Sequence, residues 1–252
     1  MDNDKVGRYL LQTSPYHVDV NGNISIGVLG NHLLNVAGLH SEEHGFGMSV
    51  LQPLQCTWVL SRLCIELYRS PLQHESFWIE TWGESVYKLF SNRGYAIKDA
   101  SGASIGYAKS VWAVLHTESR KPINLLTINE GKMVGCMTTH SCPIEPPNRN
   151  NLRGEFLRTH EYKTVFSDID INGHVNSIKY IEHTLDLFPM EMLKTHRLKR
   201  YDIAYVTESY YGETLFFHLY EVNHLEYMVE VKRNNEQVAV RSTLIFEPLA
   251  VE

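Results

Sequence analysis

The sequence predicts an α+β fold made of two similar repeats, each with one helix followed by a run of antiparallel strands. The first observation is helical spacing of apolar residues in two places. These residues are Ile26, Leu29, Leu33, Val36 and Ala37, and then Val175, Ile178, Ile181 and Leu185. The second observation is that segments of alternating β-branched and aromatic residues follow each helix. The third is the order of these elements, which is the same in both halves of the 252-residue chain.

Strand-like segments surround each predicted helix in the same order. Short ones precede the helices at 9–16 and 161–166, and longer ones follow at 59–67, 77–81, 107–114, 214–222, 227–233 and 238–246. In the segment at 59–67, alternation places one set of side chains on the same face, namely Val59, Ser61, Leu63, Ile65 and Leu67. A long helix wrapped by a curved antiparallel sheet, the hotdog fold, satisfies this pattern. The sequence therefore predicts a double hotdog.

The domain boundaries are predicted from the middle of the chain. Residues 118–158 lack clear periodicity and contain four prolines, Pro122, Pro143, Pro146 and Pro147. We therefore predict an N-terminal repeat over residues 1–125, a linker over residues 126–157 and a C-terminal repeat over residues 158–252.

Composition and charge exclude several classes of protein. The net charge of −6 gives no indication of a nucleic-acid partner. No apolar run approaches the roughly 18 residues that predict a membrane span, and the first residues lack the apolar core of a signal peptide. The four cysteines, Cys56, Cys64, Cys136 and Cys142, form no CxxC pair, which is typical of reduced thiols. We therefore expect a cytoplasmic protein without a metal site.

The densest polar cluster precedes the second helix and reads Ser-Asp-Ile-Asp-Ile-Asn-Gly-His from Ser167 to His174. One interpretation is a helix cap, because Asp and Asn side chains accept hydrogen bonds from the free N–H groups of a first turn. The other is a catalytic site, because a helix N-terminus can stabilise an oxyanion and a histidine can transfer protons near neutral pH. Capping alone requires no histidine, which favours the catalytic interpretation.

Three further signals are weaker. Glu208 and Ser209 follow the strand-like segment 201–207, where an exposed acidic residue is common. The segment from Gly102 to Gly106 matches GxSxG, but a strand-like segment follows it instead of a helix, so we predict a hairpin turn and not a nucleophile elbow. His40 and His44 have a metal-ligand spacing, but no third ligand is evident, so we interpret them as ordinary histidines.

Several motifs in register resemble one family. The block from Asp168 to Ile181 resembles the DLDxNQHVNNVxYI block of plant and bacterial acyl-acyl-carrier-protein thioesterases. In the first half, the Trp-Val-Leu-Ser-Arg that begins at Trp58 resembles the family's WVVTRM, the Gly-Phe-Gly that begins at Gly45 its GFG, and the Ser-Val-Trp that begins at Ser110 its SSVWV. The likeness covers nearly the whole chain in order.

The resemblance implies a tandem hotdog with its catalytic residues in the second repeat. It assigns catalytic roles to Asp170, Asn172 and His174 in the block and to Glu208 further on. The residue after that glutamate is often cysteine in plant members, whereas this chain has Ser209. We expect backbone N–H groups with Asn172 or His174 to stabilise the oxyanion. Glu208 either activates water or attacks directly, and the sequence leaves both routes open.

The resemblance also implies the substrate and partner, a fatty acyl chain on the phosphopantetheine of an acyl carrier protein, with no cofactor. Because carrier proteins are acidic, we expect docking at the basic cluster of Lys194, Arg197, Lys199 and Arg200, although the same cations could complement a helix C-terminus. The first repeat is expected to supply the acyl pocket, with larger side chains at Val59 or Ser61 shortening the preferred chain. A hydroxyacyl-thioester dehydratase and a non-catalytic acyl-binding protein remain alternatives, and a homodimer stays open.

Overall fold

The computed structural model describes residues 5–234 and 236–249, and the chain divides into two units, residues 1–146 and 147–252. The division falls inside the segment predicted as a linker. Residues 126–146 nevertheless belong to the first unit, because their apolar side chains are buried in its core, including Ile128, Met133, Cys142 and Ile144. Hydrophobic burial, which needs no periodicity, therefore orders a segment that reads as irregular in sequence.

The first unit consists of one long helix and a five-stranded antiparallel sheet. Its strands are β1 (Gly7–Gln12), β2 (Cys56–Leu67), β3 (Ser76–Val86), β4 (Ser91–Asp99) and β5 (Ser104–His116), in the spatial order β1-β3-β4-β5-β2. Its helices are α1 (Ile26–Glu43) and the short α2 (Met48–Leu51) and α3 (Lys132–Gly135). Helix α1 begins after Ser25, whose side chain accepts a hydrogen bond from the Val28 N–H. All five apolar residues predicted for the buried face of α1 are buried.

The second unit repeats this plan. Its strands are β6 (Glu155–Lys163), β7 (His196–Tyr205), β8 (Thr214–Asn223), β9 (Glu226–Arg233) and β10 (Gln237–Pro248), in the spatial order β6-β8-β9-β10-β7. Its helices are α4 (Ser177–Leu185) and α5 (Met190–Thr195). The strand order matches that of the first unit position for position, which confirms the predicted repeat. Helix α4 stops at Leu185, and Pro189 is the N-cap residue of α5.

A β-bulge changes the predicted faces of β2. The register against β5 shifts between Leu60 and Arg62, so Ser61 is the extra residue. An extra residue reverses the alternation, and side chains before it change face relative to those after it. Trp58 therefore takes the place that simple alternation gave to Val59, so Val59 does not share the face of Leu63, Ile65 and Leu67 as predicted.

No helix in the described parts of the chain is long and apolar enough to cross a membrane.

Candidate active site

A tight loop precedes α4 and carries three of the predicted site residues. Ile169 and Val175 form an antiparallel bridge, and the Asp170 N–H donates to the His174 carbonyl at 2.8 Å. The Asp170 carboxylate accepts from the N–H groups of Asn172 at 2.8 Å and His174 at 3.3 Å. Because its side chain holds the N–H groups of its own loop, Asp170 fixes the backbone that carries the imidazole.

The cap of α4 lies two residues beyond this loop. The Asn176 side chain accepts from the Ile178 N–H at 2.9 Å, and the helix begins at Ser177. Val175 therefore precedes the helix that was predicted to include it. The interpretation of the 167–174 cluster as the helix cap is wrong, because a different residue performs that task.

Glu208 reaches His174 from the chain that follows β7. The Val175 N–H donates to the Ser209 carbonyl at 2.8 Å, and His174 forms an antiparallel bridge with Tyr210. This short pairing brings His174 Nε2 within 3.4 Å of the Glu208 carboxylate. Both side chains remain accessible, at 23% for the histidine and 31% for the glutamate. An imidazole and a carboxylate in contact at an accessible position can exchange protons with a bound molecule.

Two other predicted residues lie beside this pair in different environments. Asn172 is exposed on the loop, where its amide nitrogen lies 3.5 Å from the Asp170 carboxylate. Ser209 is fully buried. Adjacent residues of an extended segment point in opposite directions, so Ser209 faces the core when Glu208 faces solvent. In the core, Ser209 neighbours Tyr180. Burial raises the pKa of Tyr180 to about 12, and the Ser209 hydroxyl acts in the opposite direction and lowers it.

Comparison with known proteins identifies the family. The model of the acyl-ACP thioesterase N-terminal domain matches residues 7–127, and that of the acyl-ACP thioesterase C-terminal domain matches residues 154–246. The crystal structure of an acyl-ACP thioesterase from Bacteroides thetaiotaomicron is 48% identical, with a TM-score of 0.91 over 98% of this chain and 100% of that chain. The chain belongs to the acyl-ACP thioesterase family.

More distant acyl-ACP thioesterases share the fold. The 12:0-ACP thioesterase from Umbellularia californica is 17% identical, with a TM-score of 0.85 over 97% of this chain and 98% of that one. The predicted double hotdog is thus confirmed. Oleoyl-acyl carrier protein thioesterase 2, chloroplastic, from Arabidopsis thaliana is 29% identical over 214 residues, which are 77% of this chain and 57% of the relative. The chain therefore spans less than two thirds of the length of that curated relative.

This member of the acyl-ACP thioesterase family contains a second copy of the site loop in its first unit. Asp19 accepts from the N–H groups of Asn21 at 2.8 Å and Asn23 at 3.1 Å, and its own N–H donates to the Asn23 carbonyl at 2.8 Å. The Ile24 N–H donates to the Pro71 carbonyl at 2.8 Å, as Val175 does to Ser209. Each loop also has a glycine at its fourth position with a positive φ, +74° and +80°.

The two copies differ at the residues that carry chemistry. Asn23 stands where the second unit has His174, and Ser70, which precedes Pro71, stands where it has Glu208. Asp19 and Asn21, which build this first loop, were not among the residues singled out from the sequence. The aspartate that both loops share therefore serves to build the loop. Of the two loops, only the one in the second unit has the histidine and the glutamate.

An arginine that the sequence analysis missed supports the Glu208 segment. Arg233, at the end of β9, donates to the Glu208 carbonyl at 2.8 Å and pairs with Glu213 at 3.2 Å. Its guanidinium also lies 5.5 Å from the centre of the Tyr210 ring. Glu213 in turn accepts from the Tyr210 N–H at 3.0 Å. No local pattern could have indicated Arg233, because its partners lie about 20 to 25 residues earlier in the chain.

A buried network below the loop was also missed. The Asp168 carboxylate accepts from the Tyr162 hydroxyl and the Val165 N–H, each at 2.8 Å, and lies 3.0 Å from His183 Nε2. Burial favours a raised pKa for Asp168, but these hydrogen bonds outweigh it and lower the pKa. Burial and the bond to Asp168 raise the pKa of Tyr162 to about 12. Because the Asn176 N–H donates to the Asp168 carbonyl at 2.8 Å, this network anchors the base of the loop.

The weaker motifs have structural explanations. The GxSxG segment is the predicted hairpin, with its turn after Asp99 and Ser104 already in β5. His40 is buried and bonded to Arg93 and to the Lys5 carbonyl, and His44 stacks on it. Within the described residues, no group of three or more His, Cys, Asp and Glu side chains could hold a metal ion.

The basic cluster after α4 is largely paired with carboxylates. Arg197 and Lys199 contact Glu247, and Arg200 binds Asp202 at 2.6 Å. Lys194 lies 3.9 Å from Glu191. Lys194 lies in α5 and the other three residues lie in the first half of β7, whereas Glu208 follows the end of that strand. At roughly 3.3 Å per residue, about 16 Å of strand separates Arg200 from Tyr205, where β7 ends.

Proposed function

We propose that this protein hydrolyses the thioester of a fatty acyl-acyl carrier protein, releasing a free fatty acid and the carrier thiol. The observation that carries the proposal is the accessible contact between His174 Nε2 and the Glu208 carboxylate at 3.4 Å. Membership of the acyl-ACP thioesterase family supplies the substrate class.

Glu208 is the group that we assign to activation of the attack. As a general base it takes a proton from water while the water oxygen bonds to the thioester carbon. The carbon–sulfur bond then breaks, and the proton passes to the leaving sulfur, so acid and thiol are formed. In the covalent alternative the carboxylate attacks first and the carbon–sulfur bond breaks, giving an anhydride and a thiolate. Water then hydrolyses the anhydride to the free acid and the Glu208 carboxyl group, whose proton passes to the thiolate. His174, in contact with the same carboxylate, orients it and relays the proton.

Side-chain donors are better placed than backbone donors to stabilise the oxyanion. The N–H groups of residues 172–176 are already engaged, with Asp170, Ser209 and Asp168 as their acceptors. The sequence-based expectation of free backbone donors is thus unsupported for this stretch. The exposed Asn172 amide can turn toward a bound carbonyl, and it then loses only its 3.5 Å contact with the Asp170 carboxylate. We therefore assign the oxyanion to Asn172, with His174 as the second donor.

Asp170 and Ser209 receive supporting roles. Asp170 acts as a positioning residue, because it bonds the His174 N–H and because Asp19 builds the same loop without catalytic groups. Ser209 contributes to packing, since it is fully buried beside Tyr180. A buried hydroxyl without an adjacent base is a poor nucleophile.

The carrier protein is the partner that we propose, and the cytoplasm the compartment. The four cysteines form no disulfide with one another, and three of them are buried, which supports a reducing environment. Half-exposed Lys194 and Lys199 are the residues of the basic cluster best able to meet an acidic carrier. Reversal of both charges should raise KM for the carrier-bound substrate and leave a carrier-free thioester unaffected. Equal losses of activity on both substrates would show that the two lysines stabilise the fold and do not bind the carrier.

The proposal is tested by incubating the protein with acyl carrier proteins of several chain lengths and measuring free thiol and free fatty acid. Glu208→Gln should lower kcat by about 10²–10⁴, the range for loss of a general base. Unchanged turnover in a folded Glu208→Gln protein would remove Glu208 from the mechanism.

The same assay separates hydrolysis from dehydration. A hydroxyacyl carrier protein treated with a dehydratase yields an unsaturated thioester and no free thiol. Release of thiol in step with free acid supports hydrolysis, and tight acyl binding without turnover would indicate an acyl-binding protein.

A further inference from the structure

The first unit contains a cavity of about 230 Å³ with mostly apolar walls. Leu34 and Ala37 of α1 line it, and Trp58, Trp112 and Met133 complete the wall. A cavity of about 150 Å³ accommodates benzene. By proportion, the volume in this unit suits a hydrocarbon chain of roughly eight to ten carbons.

One wall of this cavity carries a buried cation, Arg93 of β4, which is only 6% exposed. Its Nη1 lies 3.1 Å from His40 Nδ1 and donates to the Thr81 hydroxyl at 3.1 Å, and its Nη2 donates to the Ser41 hydroxyl at 3.2 Å. Across the described residues, Arg93 forms no ion pair with a carboxylate. The guanidinium is therefore held in place by hydrogen bonds to side chains that are not acidic.

His40 supplies no negative charge, and it is neutral. Its Nε2 lies 3.0 Å from the Lys5 carbonyl, which can only accept, so Nε2 carries the proton and Nδ1 accepts from Arg93. Burial and the neighbouring Arg93 lower the pKa of His40 to about 3. Burial also lowers the pKa of Arg93, yet arginine ordinarily titrates so far above neutrality that it stays charged. The cavity wall thus has a positive charge without a counter-charge.

A ligand that satisfies this site must combine an anionic end with an apolar body. A buried charge is costly unless it is paired, and Arg binds carboxylates through two parallel hydrogen bonds. A hydrocarbon tail fills the rest of the cavity. We propose that the cavity binds a free fatty acid of about eight to ten carbons, with its carboxylate paired to Arg93.

This inference rests on the proposed function for its biological meaning, because a free fatty acid is the product of that reaction. A product bound with its carboxylate at Arg93 occupies the cavity that we assign to the acyl chain. The acid then inhibits hydrolysis in competition with the acyl substrate. The binding itself requires no turnover and can be measured without it.

The first experiment titrates the wild-type protein calorimetrically with octanoate, 1-octanol and octylamine, which share a tail and differ in head group. The expected order of affinity, from tightest to weakest, is octanoate, octanol and octylamine. Octanoate should bind roughly 10- to 100-fold more tightly than octanol, as for a hydrogen bond to a charged group. Equal affinity for octanoate and octanol would overturn the proposal.

Two variants locate the site. Arg93→Met should abolish the preference for octanoate, whereas Arg8→Met, at an arginine of β1 in the same sheet that is 60% exposed, should leave it intact. Gly38 lines the cavity, and a Cβ there meets no atom within 4 Å, so Gly38→Leu should obstruct the ligand while favouring the helix. Unaltered octanoate binding in folded Arg93→Met or in Gly38→Leu would place the acid elsewhere and refute the assignment.

The outcomes keep the two proposals separate. If Arg93→Met does not fold, the comparison of octanoate, octanol and octylamine and the Gly38→Leu variant still test whether the cavity binds the acid. Absent octanoate binding with intact carrier hydrolysis refutes the fatty acid site alone. Tight octanoate binding by a protein that releases no thiol refutes the proposed function and leaves the site standing.

Discussion

The two equivalent loops offer a matched test of what Asp170 does. Asp170→Ala removes two hydrogen bonds to backbone N–H groups, at 2.8 and 3.3 Å, and Asp19→Ala removes two at 2.8 and 3.1 Å. Each bond contributes about 0.5–1.5 kcal/mol. Both variants should therefore lose about 1–3 kcal/mol of stability, and each kcal/mol lowers Tm by roughly 2–4 °C for a chain of this size.

The two variants should differ in activity. Only the second unit's loop carries an imidazole, so only Asp170→Ala releases His174 from its position against Glu208. A displacement of about 1 Å at a catalytic group can cost on the order of 10² in rate. We expect kcat to fall by about that factor in Asp170→Ala and to stay within about twofold in Asp19→Ala.

The assay is thiol release from an acyl carrier protein at saturating substrate, with Tm measured on the same samples. Asp170→Asn is the conservative control, because its amide oxygen can still accept from the loop, and it should recover most of the lost rate. Equal losses of kcat in Asp170→Ala and Asp19→Ala would show that the effect is loss of stability and not positioning. Full activity in Asp170→Ala would refute the role itself.

Three further outcomes follow from burial and hydrogen bonding. Ser209→Ala should keep most activity, since its side chain is buried, and a loss as deep as that of Glu208→Gln would make Ser209 the nucleophile. Asp168→Asn should lower stability by about 2 kcal/mol at pH 7. Because the Asp168 pKa lies below its ordinary value, that stability is present above pH of about 4 and lost as pH falls through the folded-state pKa, so the two melting curves should converge in acid. Trp58→Ala should lengthen the preferred acyl chain and Val59→Ala should not, because, of these two residues, only Trp58 lines the cavity. The chain lengths of the released fatty acids measure the preference, and equal shifts in both variants would show that Val59 also lines the cavity.

The sequence by itself determined the repeat, the two principal helices and the place of the site. Periodicity identified the buried face of α1, because a helix that packs on a sheet must present apolar residues every three to four positions. The block before α4 was recognisable from residue types alone, whereas the catalytic role of Glu208 was implied only by the family resemblance. The 3.4 Å contact between Glu208 and His174 joins residues 34 positions apart, and spacing carries no information about such a contact.

Tertiary structure decided what depends on contacts between distant segments. The bulge at Ser61 is set by pairing with β5, so alternation within β2 could not reveal it. Arg233 reaches Glu208 only because the sheet places the end of β9 beside that segment. The uncompensated charge of Arg93 likewise depends on which side chains surround it. Local sequence determines which faces of a helix or strand are apolar. The fold determines the partner of each polar group, because a buried polar group must form a hydrogen bond and its partner often comes from a segment that is distant in sequence.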